Sequence, residues 1–228
     1  MTNQPAADAA HPIRLDVWSD LVSPWGYIAK RRIEAAIHAF ERPHEVTVRF
    51  RAYEVDPDAP VGERMGVTEY LSRKHGQGDR HVGHMMTVRV SEAAVDDRIR
   101  FDWEHAVRAN TFNAHRLVAL ALEMGGPALQ SATVERFFSA HFGEGLALDD
   151  PEVLQRISAE AGLDERRVAS VLADDSYAAE VRADEEAARS LGVTTVPHVV
   201  ADGGPSLSGI QSVEEYLGLL RSVATVAG

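Results

Sequence analysis

Residues 13–32 read IRLDVWSDLVSPWGYIAKRR, and this stretch decides the fold. From Ile13 to Trp18 apolar residues alternate with polar ones, the period of a strand. Ser19 to Ser23 is a short connection. Pro24 suits a first helical turn, where a missing N–H costs nothing. From there Trp25, Ile28, Ile33, Ile37 and Phe40 recur at close to helical spacing, and Pro43 stops the helix. Val46 to Tyr53, VTVRFRAY, alternates again and predicts a second strand. A β-α-β unit implies a right-handed crossover and parallel strands.

Beyond this unit the character changes. From Gly66 to about Leu191 strand signals largely vanish. The spacing predicts helices over Val67–His75, His81–Asp96, Thr111–Met124, Ala128–Phe142, Pro151–Ala161, Glu165–Ala173 and Ser176–Leu191. Gly125-Gly126-Pro127, Gly143 to Gly145 and Gly162 supply breaks, and Asp164 supplies an N-cap. The end returns to strands at Pro197–Ala201 and Ser206–Ser208, joined by an Asp202-Gly203-Gly204 turn. Ser212, with Glu215 three residues on, forms a capping box for a last helix. The order β-α-β, helices, α-β-β-α defines an α/β class. It reads as a thioredoxin-like fold with a large all-helical insertion. The expected organisation is a tail at 1–12, a core of 13–65 plus 176–228, and an insertion at 66–175.

Composition bounds the function. The 228 residues carry 35 acids and 23 bases, a formal charge of −12. That field repels nucleic acid and anionic membranes, so the expected partner is a small molecule, with neither of those. Only Lys30 and Lys74 among the bases are lysines. No cysteine is present, which excludes disulfides, thiolate metal sites, a cysteine nucleophile and dithiol redox chemistry by the chain itself. The first residues show no signal-peptide pattern, and no apolar run approaches the ~20 residues of a membrane span. The expectation is a cytoplasmic protein, monomeric or homodimeric.

Several blocks together resemble one family. VWSDLVSPWGYIAKRR, RAYEVDPDAP, NTFNAHRLVALA, FFSAHFGEGLALDD, LGVTTVPHVV and SGIQSVEEYL are similar, in order, to segments of the DsbA-like thioredoxin superfamily, in its FrnE-like branch. That branch usually has Cys-Pro-Trp-Cys where this chain has Ser23-Pro24-Trp25-Gly26. The motif itself resembles related glutathione users, the kappa-class glutathione transferases and 2-hydroxychromene-2-carboxylate isomerases. The resemblance implies a site that holds glutathione or another low-molecular-weight thiol, such as mycothiol, without a metal. It implies thiol-dependent isomerisation or transfer on a small aromatic or polyketide-like molecule. The alternative is a redox-dead binding module that keeps the family fold.

The residues permit this chemistry as follows. Ser23 precedes a helix N-terminus, whose N–H groups and dipole stabilise an anion. A serine hydroxyl there can donate a hydrogen bond to a ligand's sulfur, but without a base it is no nucleophile. Its plainer role is an N-cap, and the two can coexist. Pro24 and Trp25 would border the ligand, and Gly26 would leave room above the helix. Val196-Pro197 resembles the superfamily's cis-proline loop, which implies that the Val196 backbone faces the thiol-bearing ligand. Asn110, His115 and Arg116 would line the opposite side of the cleft, His115 as an acid or base. For His115 and Arg116 the competing reading is structural packing or ion pairing. His75, His81 and His84 have zinc-like spacing but read as a solvated helix face. Trp18, Trp25 and Trp103 read as core or cleft wall.

Overall fold

A computed structural model describes residues 12–224. The elements run β1 (Ile13–Ser19), α1 (Pro24–Ala39), β2 (Val46–Ala52), α2 (Val67–Gly76), α3 (Arg80–Ala93), α4 (Phe112–Glu144), α5 (Pro151–Ala161), α6 (Glu165–Ala173), α7 (Ala178–Ser190), β3 (His198–Ala201), β4 (Ser206–Ser208) and α8 (Val213–Ala224). The tail expected over 1–12 lies outside the described residues, apart from Pro12. The strands form one sheet in the order β2-β1-β3-β4. β1 and β2 are parallel, while β3 runs antiparallel to β1 and β4 to β3. This is the thioredoxin-like arrangement, with a long helical insertion between β2 and β3.

The alternation in β1 does not mark a wet face, contrary to the simplest reading of such a pattern. Leu15 and Val17 join Val199, Ala201, Ile33 and Leu220 in the main core. On the other face Trp18 packs with Val200, Ala188 and Val193, so α7 and the segment after it cover that side. Asp16, 4% exposed, is buried there and ion-paired with Arg14 at 2.9 Å and Arg51 at 2.8 Å. A buried carboxylate persists only with such partners.

Helix boundaries follow local chemistry. Ser23, Asp79, Asp150 and Asp164 cap α1, α3, α5 and α6 with side-chain oxygens. In the α8 capping box Ser212 N–H donates to Glu215 at 2.7 Å, and Glu215 N–H donates to the Ser212 hydroxyl at 3.1 Å. The turn after β3 has Asp202 and Gly203 both at positive φ, 49° and 70°, as an Asp-Gly hairpin signal demands. The two helices expected between Thr111 and Phe142 run on as α4, with non-helical geometry at Gly125 and Gly126 where the break was placed. By length and composition α4 could cross a membrane. Here it buries Leu117, Leu120, Phe137 and Phe138 in the core.

Candidate active site

β1 ends at Ser19, and the chain turns through Asp20, Leu21 and Val22 into Ser23. The Ser23 N–H donates to the Asp20 carbonyl at 3.0 Å, closing the turn. The Ser23 hydroxyl accepts from Gly26 N–H at 3.3 Å. Ser23 is 6% exposed and lies at the positive end of a 16-residue helix. No base contacts its hydroxyl among the described residues, so the geometry suits a hydrogen-bond partner and not an activated nucleophile.

Ser23, Pro24 and Trp25 line a cavity of about 370 Å³, at the small end of the roughly 300–1,000 Å³ typical of small-molecule sites. Val22 extends the same wall, and Val55 and Asp56 contribute from the segment after β2. The far wall is the α2–α3 hairpin, through Val67, Tyr70, Leu71, Met86, Thr87 and Val90. Trp103, Val107, Arg108 and Ala109, with Lys74, His75 and Arg89 from the hairpin, complete the enclosure, so His75 borders the cavity and not only solvent. Trp103 is held in place: its Nε1 donates to Ser91 Oγ at 2.9 Å, and its ring stacks on Phe101 with centroids 4.7 Å apart. The hairpin arms meet closely at Gly83, where a Cβ would lie 2.2 Å from the Thr68 carbonyl oxygen. Only glycine permits that approach.

The polar groups on this wall are of two kinds. Arg108 donates to Asp56 at 2.7 Å and Glu63 at 2.8 Å, and its pKa is raised by the bond to Asp56 first. Burial would raise the pKa of Asp56, but hydrogen bonds from Arg108 and Tyr70 outweigh it and hold the carboxyl below its usual value. Lys74 and Arg89 also line the cavity without any ion pair among the described residues. Lys74 donates to the Tyr70 hydroxyl at 2.8 Å.

The other expected site residues fall elsewhere. Gly26 leaves no room: a Cβ there would lie 2.0 Å from Ser19 Oγ and 3.3 Å from Phe138, so the space of a second cysteine is filled from below. Neither Asn110 nor His115 borders the Ser23 cavity, contrary to expectation. Asn110 bonds the Pro57 and Ala59 carbonyls and accepts the Phe112 N–H at 3.1 Å, tying a loop to the start of α4. His115 is 4% exposed and lines a smaller cavity of about 230 Å³. Its Nε2 lies 3.4 Å from Asp20 Oδ1. Arg116 donates to the Ser176, Val171 and Asp174 carbonyls and to Asn113, which engages its guanidinium within the protein. Its ligand-binding role therefore gives way to a structural one, because no side of the group is turned to a ligand.

The Val196–Pro197 bond is cis. Pro197 leads directly into β3, whose His198 pairs with Trp18 near the end of β1. Antiparallel register thus brings the Val196 loop and the Ser23 turn to the same end of the sheet. Neither Val196 nor Pro197 lines the 370 Å³ cavity, contrary to the expected ligand grip between this loop and Ser23.

Sequence reasoning overlooked Asp20 and the α2–α3 wall. Asp20 is 1% exposed, and its Oδ2 accepts the Val55 N–H at 2.6 Å, joining the turn before α1 to the segment after β2. Lys74 carried a signal, being one of two lysines in an arginine-rich chain. The apolar residues of α2 and α3 read only as helix faces, because nothing in their spacing says what faces them.

The fold and this turn define a thioredoxin-fold protein with the DsbA type of helical insertion and no thiol of its own. The family model of the DSBA-like thioredoxin domain matches residues 14–221, and the chain belongs to that family. It is 32% identical to a probable DsbA oxidoreductase from Streptomyces coelicolor of known crystal structure, with a TM-score of 0.86, covering 92% of this chain and 89% of that one. A 2-hydroxychromene-2-carboxylate isomerase shares the fold at 17% identity and a TM-score of 0.65, over 93% and 95% of the two chains. So does the cytosolic disulfide reductase DsbM from Pseudomonas aeruginosa, solved with GSH, at 18% identity, a TM-score of 0.65 and coverage of 93% and 99%. No curated protein matches the sequence. No cluster of metal-ligating side chains occurs among the described residues.

Proposed function

We propose that the chain is a thiol-dependent isomerase or transferase, taking glutathione or mycothiol as an external thiol and acting on a small aromatic or polyketide-like molecule. The observation that carries this reading is the placement of Ser23: a capping hydroxyl at a helix N-terminus that also lines an apolar cavity walled by Trp25 and Trp103. The helix N-terminus favours the thiolate over the thiol. The Ser23 hydroxyl donates to that sulfur while its lone pairs remain on Gly26 N–H. The substrate ring lies between the tryptophans, and the Val196 backbone, at the same end of the sheet as Ser23, binds the peptide-like part of the thiol. His115 acts from behind, through Asp20 and the turn that Asp20 holds, as a positioning residue. The DsbM structure with GSH shows the same fold accommodating this thiol in another protein. Such an enzyme works where free thiols abound, as in cytoplasm.

Disulfide exchange needs cysteines, and the chain has none. Insulin-reduction assays are therefore expected to give no turnover above a dithiothreitol blank. Calorimetric titration with glutathione and mycothiol tests the reading directly. Binding weakened by Ser23→Ala supports it. Equal affinity in both proteins reduces Ser23 to a cap, and no binding by either leaves a thiol-independent binding module.

A further inference from the structure

We propose that the α2–α3 hairpin makes the Ser23 cavity selective for an aromatic anion, with Lys74 and Arg89 receiving the anionic group and Trp25 and Trp103 the ring. This rests on reading the cavity as the substrate site, though not on any role for a thiol.

The chain as a whole carries −12. Yet the permanent charges lining this cavity are three cations, Lys74, Arg89 and Arg108, against one acid, Asp56. The local balance thus opposes the global one. Arg108 and Asp56 cancel each other, with Glu63 as a further partner of the arginine, and form fixed wall. Lys74 reaches Asp56 only through the Tyr70 hydroxyl and charge attraction, with no direct ion pair, and Arg89 has no acid partner among the described residues, so three cations face two acids. Lys74 spends one N–H on the Tyr70 hydroxyl and keeps two free, with its ammonium 5.2 Å from the Tyr70 ring centre. Arg89 has no hydrogen bond or ion pair among the described residues, and its guanidinium keeps its full set of donors.

Two such cations beside low-dielectric walls attract an anion and repel a cation. A carboxylate would receive charge-assisted bonds that a neutral amide could not. The mostly apolar lining demands an apolar body as well, so inorganic anions would leave it unfilled. Lys74 also supplies its own reporter. The other lysine, Lys30, is 2% exposed and lies between Glu34 and Glu135. An amine-reactive reagent therefore has Lys74 as its exposed lysine among the described residues.

The test uses the full chain without thiol and two probes of one shape, 1-naphthoate and 1-naphthamide. Calorimetry is expected to show the anion binding about tenfold tighter, the size of one charge-assisted contact. Salt should shrink that advantage. The double variant Lys74→Gln/Arg89→Gln should bring naphthoate down to the amide's affinity and leave the amide unchanged. Naphthoate should also protect Lys74 from acylation, read by mass spectrometry against the N-terminal amine. Equal affinities in the wild type, a preference that survives the double variant, or unprotected Lys74 would each overturn the selectivity while leaving the cavity as a substrate site. Binding of neither probe would overturn the substrate site too.

Discussion

His115 and Arg116 sit behind the Ser23 turn, and the α2–α3 hairpin sits in front of it. Both regions are rich in polar side chains, yet they differ in what those side chains still have to offer. Behind, Arg116 donates to three carbonyls and an amide and is fully engaged, while His115 lies 3.4 Å from buried Asp20 without a hydrogen bond on its Nε2. In front, Lys74 and Arg89 keep unspent donors beside an apolar cavity. A buried polar group already satisfied by its own fold holds the scaffold together. A polar group left over at a cavity is available to a ligand.

Arg116→Ala probes the sealed side and should give the largest effect. It strands three carbonyls that now accept from a buried guanidinium, for an expected loss of about 3–5 kcal/mol in denaturant unfolding. Thiol or naphthoate affinity of the folded fraction should not change. A variant that is fully stable but binds poorly would reverse the assignment of the two regions.

Next comes His141, fully buried near the same rear wall, whose Nδ1 lies 3.2 Å from the Leu146 carbonyl. Burial pushes its pKa down to about 4 from an ordinary 6.5. The unfolded chain then binds the proton more readily than the folded one. Stability from this group is therefore complete above pH 6.5 and falls as pH drops from there towards 4. The loss should total about 3 kcal/mol, taking 1.36 kcal/mol per pKa unit. Unfolding measured across that range should show the slope, and His141→Gln should flatten it.

A smaller effect is expected at Gly26, on the boundary between the regions. Gly26→Ala should cost about 1–2 kcal/mol by overpacking against Ser19. In a Ser19→Ala background, which removes the nearest atom, the same change should be neutral or stabilising through helix propensity. Thermal unfolding of the four proteins closes that cycle. Ser23→Ala should give the smallest change, about 1 kcal/mol in thiol affinity and a similar amount in stability, since one hydrogen bond and one cap are at stake. Calorimetry and denaturation on the same preparation separate the two.

Much of the fold was legible because its signals are local. The Ser23 cap, the Ser212–Glu215 box, the Asp202-Gly203 turn and the break at Gly125-Gly126 each depend on a few adjacent residues, and each forms where expected. The site was less legible. Pro24 and Trp25 reach the cavity by following Ser23 in the chain. The position of Asn110, His115 and Arg116 at the start of an insertion helix suggests the cleft, but which face of α4 and its leading loop meets the cleft depends on packing across the sheet. The same holds for Gly26, whose apparent vacancy is filled by a residue seven positions earlier.

By itself the sequence determined the element order, the helix starts and stops, the missing thiol and the negative charge of the whole, because composition and short-range periodicity suffice for these. Tertiary structure alone decided that Asp16 is buried, that Asp20 ties the Ser23 turn to Val55, and that Lys74 and Arg89 look into the cavity beside Trp25. Those facts depend on contacts between segments distant in the chain, set when helices pack on a sheet and cover one another's faces. A side chain's surroundings are then fixed by what lies across from it, which its own neighbours in sequence do not record.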